Sequence, residues 1–226
     1  MFTLDEVVPW GRSFDEYCRM FALTARDFEG TILGCGDGPA SFNAEGTRRG
    51  FTIASCDPLY GFDGAAIRTR IDTAYEQIMG QLRKNESEYV WTSIPSVDAL
   101  GLLRMQAMQT FLSDYDAGKA QRRYIDAALP QLPFGTAAFD LAVCSHLLFL
   151  YSTQLTTDFH CSSLDELCRV AREVRVFPLL TFGAIPSPHL EPVRAHLVSR
   201  GFEVSIESVD YEFLRGANQM MRVWQR

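Results

Sequence analysis

The sequence predicts an α/β fold: a mostly parallel sheet flanked by helices, with an antiparallel edge and a helical insert. Three observations predict it. Residues 31–57, TILGCGDGPASFNAEGTRRGFTIASCD, hold an apolar run, a glycine cluster, a helix-compatible segment and a second apolar run, the span of one strand-helix-strand unit. Residues 61–123 keep helical spacing through an interval far longer than an ordinary connection. The tail alternates polar and apolar residues on both sides of RGAN, as two antiparallel strands do around a turn.

Taken in order, residues 1–28 contain FDEYCRMFAL, with Phe14, Tyr17, Cys18, Phe21 and Ala22 at helical spacing and Ser13 as N-cap. This predicts a leading amphipathic helix. The first strand runs through Thr31, Ile32 and Leu33, Gly50 closes the following helix, and the second strand ends at Asp57. In the insert, Ile67, Ile71, Tyr75, Ile78 and Leu82 share one face, as do Leu100, Leu103, Ala107, Phe111 and Tyr115. Two helices over the ligand site are expected, separated by the polar, proline-marked residues 84–96. A third strand is expected over 124–129 and a fourth over 139–146, FDLAVCSH, nearly all apolar as a central parallel strand is. Leu164, Leu167, Ala171 and Val174 predict a helix capped by Ser162 or Ser163, ahead of a strand over 174–180. Leu190, Val193 and Leu197 mark a last helix stopped by Gly201, before the terminal hairpin that turns at Gly216 and Asn218.

With 226 residues, 47% of them hydrophobic, the chain can fill the core of one domain carrying an insert. A net charge of −7 argues against a broad phosphate-binding surface, so no nucleic-acid partner is expected. The six cysteines form no CxxC pair and read as reduced, mostly buried thiols. No leader pattern opens MFTLDEVVPW and no run of apolar residues is long enough to span a bilayer. A cytoplasmic protein with no membrane partner is expected; its oligomeric state is open.

Glycines at 34, 36 and 38 let a backbone approach a ligand, and Asp57 ends the second strand where an acid accepts hydrogen bonds from ribose hydroxyls. Together they imply an adenosine-containing cofactor. With QLPFGTAAFDLAVCSHLLFLY at 131–151, CDP at 56–58 and the closing hairpin, LGCGDG at 33–38 resembles the class I S-adenosylmethionine-dependent methyltransferases of small-molecule type. The resemblance covers roughly residues 30–60 and 124–226 and leaves the insert aside. It implies a Rossmann-like, seven-stranded, mostly parallel sheet, S-adenosyl-L-methionine as cofactor, and a small-molecule acceptor. One methyltransferase-like domain over 1–226 is expected, with 1–28 as a helical lid and 61–123 as the helical insert.

The same resemblance implies backbone contacts from Gly34, Cys35, Gly36 and Gly38 to the methionine and ribose, and Asp57 on the ribose hydroxyls. Pro58 and Leu59 lie against the adenine, with Leu129 beside it, and Ser145 and His146 lie beside the sulfonium. In two places the chain departs from the pattern: Ile32 stands where the family has an acid, and Ala128 and Leu129 occupy the place of another. A methyltransferase-like module that binds the cofactor without turnover is therefore an alternative. A nicotinamide-dependent oxidoreductase is a second, though the spacing is GxGxG rather than GxGxxG.

His146 is the candidate general base, since imidazole titrates near neutral pH and the residue follows a buried strand; simple packing beside the cofactor is its other reading. Asp158 and His160 are either a second acid-base pair in a loop or a helix cap. Arg12 is placed to fork onto the cofactor carboxylate if the leading helix folds over the site, with Trp10, Phe14 and Tyr17 as an aromatic lid. Tyr124 closes the pocket from the insert side, while Arg122 and Arg123 read as surface charges. No cluster of carboxylates or histidines suggests a metal; Cys144 with His146 is a minor exception.

Overall fold

The computed structural model describes residues 8–225, so the first part of the expected 1–28 lid lies outside the described residues. Helix α1 (Phe14–Met20) is shorter than the 1–28 segment, because the chain turns at Ala22, which takes a positive φ of 47°. Ser13 caps it: its hydroxyl accepts from the Glu16 amide at 3.3 Å, and the Glu16 carboxylate accepts from the Ser13 amide at 3.0 Å.

Strand β1 (Thr31–Cys35), helix α2 (Phe42–Arg48) and strand β2 (Thr52–Cys56) form the opening unit, β1 and β2 pairing in parallel from Thr31↔Thr52 to Cys35↔Cys56. The insert folds as α3 (Gly64–Lys84) and α4 (Val97–Ala120), capped by Asp63 and Ser96. Both expected apolar faces turn inward, with Ile67, Ile71, Ile78 and Leu82 buried on α3 and Leu100, Ala107, Phe111 and Tyr115 on α4.

Strand β3 is only Tyr124–Ile125, not 124–129. Its ladder ends where its partner β2 ends, at Cys56, and beyond it Ala128 bridges to Gln131 around Pro130. Strand β4 (Phe139–Ser145) is buried from Leu141 onward. Helix α5 (Thr157–Val170) begins ahead of the expected serine caps, because the Thr156 hydroxyl accepts from the Phe159 amide at 3.2 Å. Asp158 and His160 thus lie in its first turns rather than in a loop. Strand β5 (Ala171–Phe177) follows without a connection, three residues earlier than its apolar run suggests. A small hairpin, β6 (Leu180–Thr181) and β7 (Ile185–Pro186), is too short to show a period in sequence. Helix α6 (Leu190–Ser199) ends before Gly201, and β8 (Phe202–Ser208) and β9 (Gln219–Gln225) close the chain.

The sheet has seven strands in the order β3-β2-β1-β4-β5-β9-β8. β3 to β5 are parallel and β9 runs antiparallel between β5 and β8. This is the Rossmann-like, seven-stranded, mostly parallel sheet with an antiparallel edge that the resemblance implied. Its strand order reverses between β1 and β4, and in open α/β sheets that switch point is where a ligand crevice opens at the carboxyl ends. Among the described residues no helix is long and apolar enough to cross a membrane.

One ion pair ties the leading helix to the insert and the tail. Arg104 of α4 forks onto Glu16 of α1 at 2.5 and 2.7 Å, both side chains 1% exposed, and the Tyr211 hydroxyl donates to the same carboxylate at 2.9 Å.

Candidate functional site

A cavity of about 700 Å³ opens at the carboxyl ends of β1, β2 and β4. Its floor is the turn after β1, where Gly36 and Gly38 have φ of +68° and +52°, a backbone that a side chain would strain. Asp57 follows β2 and holds this turn, accepting from the Gly38 amide at 2.8 Å and from the Leu59 amide at 2.8 Å. The Tyr60 hydroxyl adds a bond to the Gly38 carbonyl at 2.7 Å. A carboxylate has about four lone-pair sites, so Asp57 keeps acceptor capacity toward the cavity.

Asp37 lies in the same turn, 7% exposed, and lines the cavity. The Tyr17 hydroxyl donates to one of its oxygens at 2.8 Å and the Ser55 hydroxyl to the other at 2.6 Å. Burial, with the charge of Asp57 adding to it, raises its pKa to about 7 against the hydrogen bonds that lower it. The sequence reading took this motif for its glycines and passed over the acid.

At the end of β4, His146 leaves the strand with a φ of +53°, its amide donating to the Phe177 carbonyl at 2.7 Å. The Ser145 hydroxyl and His146 Nδ1 are 2.8 Å apart. Burial first, then the charges of Arg12 and Arg104, hold the imidazole pKa well below its ordinary value, so the ring is neutral at physiological pH. Arg12 enters the cavity from the leading segment, whose backbone docks beside the glycine turn by a bond from the Ser41 amide to the Arg12 carbonyl at 3.0 Å. Its guanidinium donates to the Trp10 carbonyl at 3.2 Å, while its Nε is buried without a partner. Burial and Arg104 lower its pKa.

Of the residues singled out in sequence, Arg12, Gly36, Gly38, Asp57, Pro58, Leu59, Ser145 and His146 line this one cavity. Gly34, Cys35 and Leu129 do not. A Cβ on Gly34 would lie 1.8 Å from an Asp37 carboxylate oxygen, so Gly34 gives room to the acid rather than to a ligand. Cys35 sits beside Cys56 and Cys144 at paired positions of three neighbouring strands, and Leu129 packs in the core on that side.

Trp10 and Tyr17 reach the cavity, but Phe14 stacks on Phe28 and Phe42 instead. Tyr124 is turned away into a cluster with Tyr60, Phe111 and Tyr115. Arg123 is no free surface charge: it forks onto Asp114 at 2.8 and 2.9 Å, a pairing across the end of the insert that sequence distance hides. His160 is buried against Phe149 and His189 and does not line the cavity, its Nδ1 2.7 Å from the Thr156 carbonyl.

The outer wall was missed in part. Thr69, Thr73 and Gln77 of α3 face the cavity at four-residue spacing, a polar ridge beside the apolar stripe that was visible in sequence. Tyr89, Tyr151, Phe182 and Phe213 complete it from loops and short elements that give no periodic signal.

No family model matches the chain. The uncharacterized protein MJ0045 of Methanocaldococcus jannaschii is 31% identical to it over 222 residues, covering 96% of this chain and 96% of that protein. Among solved structures it is similar to magnesium protoporphyrin IX methyltransferase from Synechocystis PCC 6803 with bound S-adenosylmethionine, at 10% identity and a TM-score of 0.45, over 94% of this chain and 91% of that one. It is also similar to a TehB-like S-adenosylmethionine-dependent methyltransferase from Corynebacterium glutamicum, at 17% identity and a TM-score of 0.46, over 93% of this chain and 86% of that one.

Proposed function

The chain belongs to the family of the Methanocaldococcus jannaschii protein MJ0045, and we propose that it is an S-adenosylmethionine-dependent methyltransferase acting on a small-molecule acceptor. The observation that carries this reading is convergence: the glycine turn, Asp57, Ser145, His146 and Arg12 meet in one cavity at the switch point of a class I sheet. The residues fit the cofactor. Asp57 has acceptors to spare for ribose hydroxyls, Pro58 and Leu59 offer an apolar wall for a purine, and the unpartnered Nε of Arg12 suits a carboxylate. When bound, the cofactor supplies an electrophilic methyl group on a cationic sulfur.

The chain's own part is positioning, which supplies much of the rate when two reactants are held in line. The insert and the aromatic wall of Tyr89, Tyr151, Phe182 and Phe213 leave a cavity open on one side and largely apolar, which supports a small acceptor with an apolar body. His146 is uncharged at neutral pH, and in the tautomer that donates from Nδ1 to Ser145 its Nε2 is a proton acceptor.

Calorimetry with S-adenosylmethionine and S-adenosylhomocysteine tests the reading; failure of both to bind at millimolar concentration overturns it. Asp57→Ala is expected to weaken binding by about 1–3 kcal/mol, the worth of hydrogen bonds to a charged group. With an acceptor in hand from a panel scored by S-adenosylhomocysteine formation, His146→Ala is expected to slow turnover by about 100-fold or more without changing S-adenosylhomocysteine affinity. Unchanged turnover assigns His146 to packing. A thermal shift with NAD and none with S-adenosylmethionine revives the oxidoreductase alternative.

A further inference from the structure

We propose that Asp37 receives the ammonium group of the cofactor's methionine moiety, and that it does so as a carboxylate formed on binding, its proton leaving to solvent as the ligand enters. The inference rests on the methyltransferase reading above and concerns how the same cavity recognises charge.

The geometry comes first. The family pattern places an acid two residues before the first glycine, and here Ile32 takes that position and is buried in the core at 1% exposure. Asp37 brings an acid back to the same turn from inside the loop. Its carboxyl lies against Gly34, at a distance that only a residue without a Cβ tolerates, and the residue lines the cavity. Each oxygen has one neutral donor, Tyr17 from α1 and Ser55 from β2.

The charged and titratable neighbours on every side are then countable. Asp57, after β2, adds a second negative charge; the phenol of Tyr60 and the thiols of Cys35 and Cys144 lie close enough to be pushed up by Asp37. Arg12 acts on Tyr17 beyond it. Among the described residues no cation pairs with Asp37. A buried carboxylate is tolerated when a cation is supplied, and Asp37 lines the ligand cavity. Its pKa of about 7 means that the free protein holds this group as a mixture of acid and carboxylate near neutrality. A bound cation favours the charged form, so binding is linked to proton release.

The test is calorimetry on the wild-type protein in buffers of different ionisation enthalpy, with S-adenosylhomocysteine, S-adenosylmethionine and 5′-methylthioadenosine, which has no amino-acid part. From a pKa of about 7, the two amino-acid ligands are expected to release most of a proton near pH 6 and progressively less as pH rises toward 8, where their own α-amino groups begin to titrate, and to bind more weakly near pH 6 than near pH 7. 5′-Methylthioadenosine is expected to release none. Asp37→Asn should abolish the release and weaken S-adenosylhomocysteine at least about tenfold, with 5′-methylthioadenosine affinity unchanged.

Tyr17→Phe, which removes one donor to the carboxylate, should move the pH profile upward, so that release near pH 8 increases. This second variant decides the matter if the asparagine variant does not fold. Buffer-independent enthalpy near pH 6 with bound S-adenosylhomocysteine overturns the proposal, as does equal release by 5′-methylthioadenosine. If none of the three ligands binds, it is the methyltransferase reading that falls.

Discussion

Glu16 and Asp37 are both buried acids, and the helix that carries Glu16 also carries Tyr17, the donor to Asp37; their charges are handled in opposite ways. Glu16 meets Arg104 in a forked pair and accepts from Ser13 and Tyr211 as well, and these overcome its burial to bring its pKa down to about 2. Asp37 meets only hydroxyls, and burial wins, raising its pKa to about 7. An acid completed by a cation of the chain belongs to the architecture. An acid given neutral donors at the wall of a cavity is left for a cation that the cavity takes up.

The largest expected effect comes from breaking the completed pair. Arg104→Met leaves Glu16 buried among groups that no longer neutralise it, and the loss should be about 3–5 kcal/mol, read from urea denaturation near neutral pH. Adding Glu16→Gln to that variant should restore much of the loss, because the uncompensated charge then disappears; no recovery would show that shape, not charge, matters at this junction. The sign in acid follows from a folded pKa depressed below the ordinary 4.5 to about 2. The stability that Glu16 contributes is fully present above about 4.5 and is lost as pH falls toward 2. Because the pair joins α1, α4 and the loop before β9, its loss should loosen the leading segment that carries Arg12 into the cavity.

What was legible in sequence divides along the same line. Periodicity and glycine spacing read out the sheet, both insert helices and the floor of the cavity, because those features are local: Ile67 and Ile71 declare a helix face, and Gly36 and Gly38 a turn. Partners across the chain left no such trace. Nothing around Glu16 points to Arg104, 88 residues away, and Arg123 read as a surface charge because Asp114 meets it only once the insert is folded. Tyr89, Phe182 and Phe213 sit in segments without a period, so the outer wall needed the fold. Strand β3 was overread because an apolar composition resumes past Ile125 while its partner β2 ends at Cys56. Asp37 is the instructive miss, since it stands inside the motif that was read; the residue type was in view, but its burial and its neutral donors were not.

Asp37→Asn tests the other half of the contrast, with an effect opposite in sign. The folded pKa of about 7 lies above the ordinary 3.8, so in the free protein the carboxylate is the disfavoured form. Below about pH 4 both folded and unfolded chains hold the proton and there is no penalty. As pH rises from about 4 to about 7 the unfolded chain gives up the proton and the folded one resists, so the penalty grows and is complete above 7. Replacing the acid by its neutral isostere should therefore stabilise the free protein near pH 8 by on the order of 2–4 kcal/mol and leave it nearly unchanged near pH 4, read from denaturation midpoints across that range. A constant difference at all pH values would mean that the asparagine acts through packing. A gain that grows with pH means that the free protein tolerates an acid it would fold better without, which is the linkage that the proposed ammonium contact at Asp37 requires.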